Sequence, residues 1–129
     1  MDLEDLECHL MELKSKDLNR RGVLQRLIQA YCRQGQVEKV LVAKEEFEAS
    51  GYEYSAGTLA VLFDVMVRFG NLDEAEASLM KLNVLAPDFI LDEQKVLDFS
   101  TLLVSKNRIK GTNVAPWYVV LYVQLTLVS

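Results

Sequence analysis

Residues 27–40, LIQAYCRQGQVEKV, lie over residues 62–75, LFDVMVRFGNLDEA, at a constant spacing of 35 residues and without a gap. Leu27 answers to Leu62, Arg33 to Arg68, Gly35 to Gly70, Val37 to Leu72 and Val40 to Ala75. A period of this length marks a chain built from stacked copies of one supersecondary unit. A third copy, FSTLLVSKNRI at residues 99–109, follows at an offset of 37, with Asn107 in the place of Gly70 and Ile109 in that of Leu72. The opening DLEDLECHLMEL reads as the second half of such a unit, with Leu3, Leu6, Leu10 and Leu13 on one helical face.

Within each unit the pattern is that of two helices in a hairpin. Leu24, Leu27, Ile28 and Tyr31 follow the i, i+3, i+4, i+7 spacing of a helix with one buried stripe. Gly35 and Gly70 then predict a helix stop, because glycine is at ease with the positive φ such a turn needs. A second helix follows, carried by Val37, Val40, Leu41, Ala43, Lys44 and Phe47 and closed by Gly51. In the next unit Leu72, Ala75, Leu79 and Leu82 take that part, and Ala86-Pro87-Asp88 ends it. Asn71 with Glu74 has the form of a capping box. Ser55 and Asp92 are placed to cap helices that begin near Ala56 and Glu93. Two short helices with one apolar face each bury that face by stacking on neighbours. The predicted fold is therefore all-α, an α-solenoid of helix-turn-helix repeats with an irregular apolar C-terminal tail. Its divisions are a partial repeat at 1–20, full repeats at 21–55 and 56–92, a partial repeat at 93–110, and a non-repeat tail at 111–129.

Charge is unevenly spread in a chain of net charge −5. Residues 14–44 hold eight bases and two acids, a balance of +6, whereas residues 45–98 hold twelve acids and three bases, a balance of −9. A local basic surface can meet phosphate even in an acidic chain. Arg20, Arg21, Arg26 and Arg33 are the candidates for that contact, and a solvated mixed-charge surface is the alternative. Five acids in the first twelve residues argue against a signal or transit peptide at this N-terminus. Nothing reaches the roughly 18 apolar residues of a membrane helix. Cys8 and Cys32 fit no metal or redox spacing and read as reduced core-type thiols. His9, the one histidine, has no nucleophile beside it, and there is no Gly-rich phosphate loop. No enzyme, cofactor, metal site or small-molecule substrate is expected.

The 35-residue unit, with Gly at its first turn and a hydrophobic-acidic-x-Ala stretch after it, resembles the pentatricopeptide repeat. LIQAYCRQG looks like its first helix, and NLDEAEASLMKL and QVEKVLVAKEEFEASG look like its second. The tetratricopeptide repeat fits less well, since it wants Trp and Tyr in the first helix and Ala-x-x-x-Phe in the second. Over residues 2–110 the chain is similar to an internal stretch of leucine-rich mitochondrial members of the family in animals. The resemblance implies binding of single-stranded mitochondrial messenger RNA, with roles in its stability, polyadenylation and expression. A small RNA-recognition-motif protein is the implied partner, and the mitochondrion the implied location, with the nucleus as the second. In this family each repeat reads one base through an early residue of its first helix and its own last residue. Those positions fall on Gln25 and Ser55 in the first full unit, and on Ala60 and Asp92 in the second. Ala60 has no hydrogen-bonding group, a departure from the reading pattern. The alternative function is a protein–protein scaffold without RNA contact.

After Lys110 the sequence changes to GTNVAPWYVVLYVQLTLVS, where Trp117–Val123 is β-branched and aromatic with no charge. An incomplete gene model or an intron read through would produce such a departure near Gly111, and a strand or membrane-surface anchor is the alternative.

Overall fold

In a computed structural model, residues 2–89 and 91–105 are described, and they contain six α-helices and no strand. The helices are α1 (Leu3–Ser15), α2 (Arg21–Arg33), α3 (Val37–Ala49), α4 (Ala56–Arg68), α5 (Leu72–Leu85) and α6 (Glu93–Ser105). The predicted first helices of the units are α2, α4 and α6, and the second helices are α1, α3 and α5. The proposed tail at 111–129 lies outside the described residues.

Four of the helices end in one and the same way, which is why the connections are short. At the end of α2 the Gln36 N–H bonds to the Tyr31 carbonyl and the Gly35 N–H to that of Cys32, the paired bonds of a Schellman motif. The same pair closes α3 at Gly51, α4 at Gly70 and α1 at Asp17. The three glycines have φ of 70°, 78° and 74°, and Asp17 carries the same turn at 52° without glycine's freedom. Helix starts are less uniform. Asp2, Ser55 and Asn71 accept from the N–H three residues on, whereas Arg20 and Gln36 make no side-chain cap. Only half of the expected capping box forms. Asn71 Oδ1 takes the Glu74 N–H at 3.3 Å, but the Asn71 N–H closes the α4 turn on Met66 and the Glu74 carboxylate turns to Lys44 instead.

Close backbone packing joins α1 to α2, α2 to α3 and α4, α4 to α5 and α6, and α5 to α6. One continuous core results, made of the stripes read in the sequence: Leu24, Leu27, Ile28 and Tyr31 from α2, Val40, Ala43 and Phe47 from α3, and Leu72, Ala75, Leu79 and Leu82 from α5. Leu6 is buried and Leu3, Leu10 and Leu13 pack against this core from α1. Cys32 belongs to it, and burial pushes its thiol up to about 12. Cys8 does not, being exposed on α1, so its reading as a core thiol is corrected. The four-leucine stripe of α1 supplies its core face, and Cys8 falls to one side of it.

Along α1, α3 and α5 the link is made by long side chains. Glu7 reaches Lys39, Lys14 reaches Glu46, Lys44 lies 3.0 Å from Glu74, and Lys81 lies 2.6 Å from Glu48. These pairs span 30 to 33 residues, one repeat less a turn. Lys44 is buried, with Glu48 at 2.7 Å on its own helix. Burial works to lower its pKa, and the carboxylates of Glu48 and Glu74 outweigh that and raise it. For Glu48, burial works upward, yet hydrogen bonds from Lys44, Lys81 and the Tyr54 hydroxyl hold it at about 2.

A pH dependence follows. A carboxyl whose pKa is lower in the fold than its ordinary 4.5 contributes fully above 4.5, and the contribution is lost as pH falls toward about 2. The urea midpoint is expected to fall across this window, and to fall less steeply in Glu48→Gln. Equal slopes for the two proteins would remove Glu48 from the account.

Candidate nucleic-acid interface

Gln25 lies one turn into α2 and Ser55 just before α4, and stacking of α2 on α4 brings the two together. The Gln25 side-chain oxygen accepts from the Ser55 N–H at 3.3 Å and from the Thr58 hydroxyl at 3.1 Å. Gln29, one turn further along α2, donates to the same Thr58 hydroxyl at 3.0 Å. Ser55 Oγ caps α4 by accepting from the Thr58 N–H and lies 2.9 Å from Thr58 Oγ1. The capping role expected of Ser55 is thus present, within a polar cluster that orients Gln25. With its carbonyl oxygen bonded inward twice, Gln25 is held by its acceptor end.

Thr58 and Gln29 were not singled out in the sequence. Their signals were there: Ser55-x-x-Thr58 is a cap spacing, and Gln25 and Gln29 stand at i, i+4 on one helix face. The second unit forms no matching pair. Ala60 offers nothing polar, and Asp92 is exposed with its carboxylate accepting the Gln94 N–H at 2.8 Å at the start of α6.

The four arginines divide into two kinds. Arg21 grips the Glu53 carbonyl with Nε at 3.0 Å and a terminal nitrogen at 2.7 Å. Arg20 is half-buried, donates to the Leu18 carbonyl and faces Glu46 at 3.8 Å. Arg26 and Arg33 are exposed, and among the described residues no ion pair involves them. They stand seven residues apart on α2, two turns or about 10 Å along the axis. The +6 of residues 14–44 is therefore largely answered inside the fold. Lys14, Lys16, Arg20, Lys39 and Lys44 all face acids outside that stretch, namely Glu46, Glu12, Glu7, Glu48 and Glu74. Counting charge within a stretch missed this because the partners lie outside it, Glu12 and Glu48 one turn away on the same helix and Glu7, Glu46 and Glu74 on a neighbouring unit.

Among the described residues no group of three or more His, Cys, Asp or Glu is placed to hold a metal, and no helix is long and apolar enough to cross a membrane. Among the described residues, six helices of near-equal length, in hairpin order and with recurring turns, make an all-α fold of repeat-like construction. No protein-family model matches the chain, and no curated protein or solved structure matches it either.

Proposed function

We propose that this chain is a helical-repeat protein that binds single-stranded RNA, acting in the stability, polyadenylation and expression of mitochondrial messenger RNA. The observation that carries the reading is the contact of Gln25 with Ser55. The resemblance to pentatricopeptide repeats makes these two the base-reading positions of one unit, and the fold holds them 3.3 Å apart. Arg26 and Arg33, open on the same helix, supply the phosphate contacts that position a strand without selecting its sequence. Arg20 and Arg21 have intramolecular partners and shape the start of α2. Location in the mitochondrion and cooperation with a small RNA-recognition-motif protein rest on the resemblance alone.

The test is the fluorescence anisotropy of a labelled, random-sequence single-stranded RNA titrated with the full chain at several salt concentrations. Affinity is expected to fall as salt rises, with a slope smaller by about 0.7 for each phosphate-contacting arginine removed. Arg26→Ala and Arg33→Ala are each expected to show that loss with the thermal midpoint unchanged. Binding that ignores salt, or that both variants leave intact, would sink the proposal.

A further inference from the structure

The two rows of helices are held by different means. Close backbone packing joins α2 to α4 and α4 to α6, but it joins neither α1 to α3 nor α3 to α5. In that second row the long charged side chains make the bridge, and the two bridges are unlike.

Between α1 and α3 lies an open groove of about 420 Å³, with Leu24, Leu27 and Tyr31 of α2 as its floor. Two ion pairs span it, Glu7 with Lys39 at 3.8 Å and Lys14 with Glu46. The cations stay in water, Lys14 at 48% and Lys39 at 55% exposure. Exposed pairs gain little over hydrated ions, and salt screens them. Arg20 faces Glu46 at 3.8 Å from the start of α2, so that carboxylate keeps a cation when Lys14 leaves. Below the groove α1 packs on α2, with Leu6 buried in the core and the Tyr31 hydroxyl donating to Glu7 at 2.7 Å. These contacts hold α1 on α2 without fixing its separation from α3.

The α3–α5 bridge is a clamp. The Lys44 side chain is only 9% exposed and lies 2.7 Å from Glu48 and 3.0 Å from Glu74 of α5. Parting the two helices would strip Glu74 from a cation that water barely reaches, and breaking a buried pair is strongly destabilising. Salt screens such a pair much less than an exposed one. One register back, at 35 residues, the positions of Lys44 and Glu74 fall on His9 and Lys39. The clamp therefore has no counterpart between α1 and α3.

We infer that the α1–α3 contact is a salt-responsive joint. As ionic strength rises, α1 rolls on α2 away from α3 and widens the groove over Leu24, Leu27 and Tyr31, while α3 and α5 keep their spacing. The α2–α4 packing, and the Gln25–Ser55 contact within it, stay as they are. The joint does not depend on the RNA reading.

Spin labels on the full chain, read by double electron–electron resonance, test this. One sample is labelled at the native Cys8, exposed on α1, and at Glu45→Cys on α3. The other carries Cys8→Ser and is labelled at Glu45→Cys and at Val84→Cys on α5. Cys32 is buried and takes no label. From about 0.1 M to about 1 M salt the screening length falls from about 10 Å to about 3 Å. Over that range the α1–α3 distance is expected to lengthen by more than the width of a water molecule, and the α3–α5 distance to hold, with circular dichroism unchanged. With Lys14→Met and Lys39→Met together, the α1–α3 distance is expected to take its high-salt value at both salts. An α1–α3 distance that ignores salt, an equal lengthening of both distances, or a salt response that survives in the double variant overturns the inference. Where the double variant loses helicity, Lys39→Met alone decides: it is expected to diminish the salt response, and a response as large as the parent's overturns the inference.

Discussion

Phe63→Ala is expected to lower the stability of the chain by about 3–5 kcal/mol, the largest effect of any single truncation considered. The ring has no exposure to solvent and sits on α4, which packs against α2, α5 and α6. Its edge meets the Phe99 ring at 5.2 Å with the planes 72° apart, the T-shaped arrangement aromatic pairs favour. Removing the ring opens a cavity that helices fixed on three sides cannot close, so the loss includes the void as well as the lost transfer energy. A domain of this size has roughly 5–15 kcal/mol in total, so the variant stands near the limit of folding. Urea denaturation followed by circular dichroism reads the loss, with the slope expected to stay that of the parent. Phe99→Ala removes the same ring pair from the other side, where α6 has fewer packing partners, and is expected to deprotect the amides of α6 before those of α2. A loss under about 1 kcal/mol for Phe63→Ala would mean the core collapses around the gap, contrary to the packing described.

Much of the helical framework was legible because its signals are local. Gly35, Gly51 and Gly70 mark stops through a single backbone angle, and the apolar stripes of α2 and α5 need no knowledge of their neighbours. Each of the residues named for those stripes is buried. What the sequence did not disclose depends on residues a repeat apart. Lys44 stands in the sequence among the mostly apolar residues that carry α3, and the burial of a cation there becomes intelligible only once Glu74 is brought to 3.0 Å. Arg20 and Arg21 read as free cations because Glu46 and the Glu53 carbonyl are more than 25 residues away. A search for opposite charges about 32 residues apart would have found Glu7 with Lys39, Lys14 with Glu46 and Glu48 with Lys81. Partners joined through a backbone carbonyl, such as that of Glu53, leave no trace in residue types at all. The candidate interface divides along the same line: Gln25 and Ser55 follow from register, while the Thr58 hydroxyl that locks Gln25 required the packing of α2 on α4.

Gly35→Ala is expected to cost about 2–3 kcal/mol, against about 1–2 kcal/mol for Gly70→Ala, although the two glycines hold the same turn. Both have positive φ, 70° and 74°, where a Cβ crowds the neighbouring carbonyl. The difference lies in what an added Cβ meets. At Gly70 nothing stands within 4 Å, whereas at Gly35 the Phe69 ring is 3.0 Å away at Cζ. Phe69 is the cap residue of α4, half exposed, with the Arg68 guanidinium over its ring at 5.5 Å. Such a ring can swing aside, but doing so gives up its contact with the preceding turn and with Arg68. Phe69→Ala therefore provides the control. In that background Gly35→Ala is expected to cost no more than Gly70→Ala does in the parent, and the difference between the two Gly35→Ala values is the coupling between turns of adjacent units. Thermal and urea denaturation of the four proteins in the cycle measure it. A coupling near zero would show that the Phe69 ring does not rest on Gly35, and with it that the turns of successive helix pairs do not stack as described. A coupling of about 1 kcal/mol would instead give a nearest-neighbour term of the kind on which stacked repeats depend, localised to one ring and one glycine.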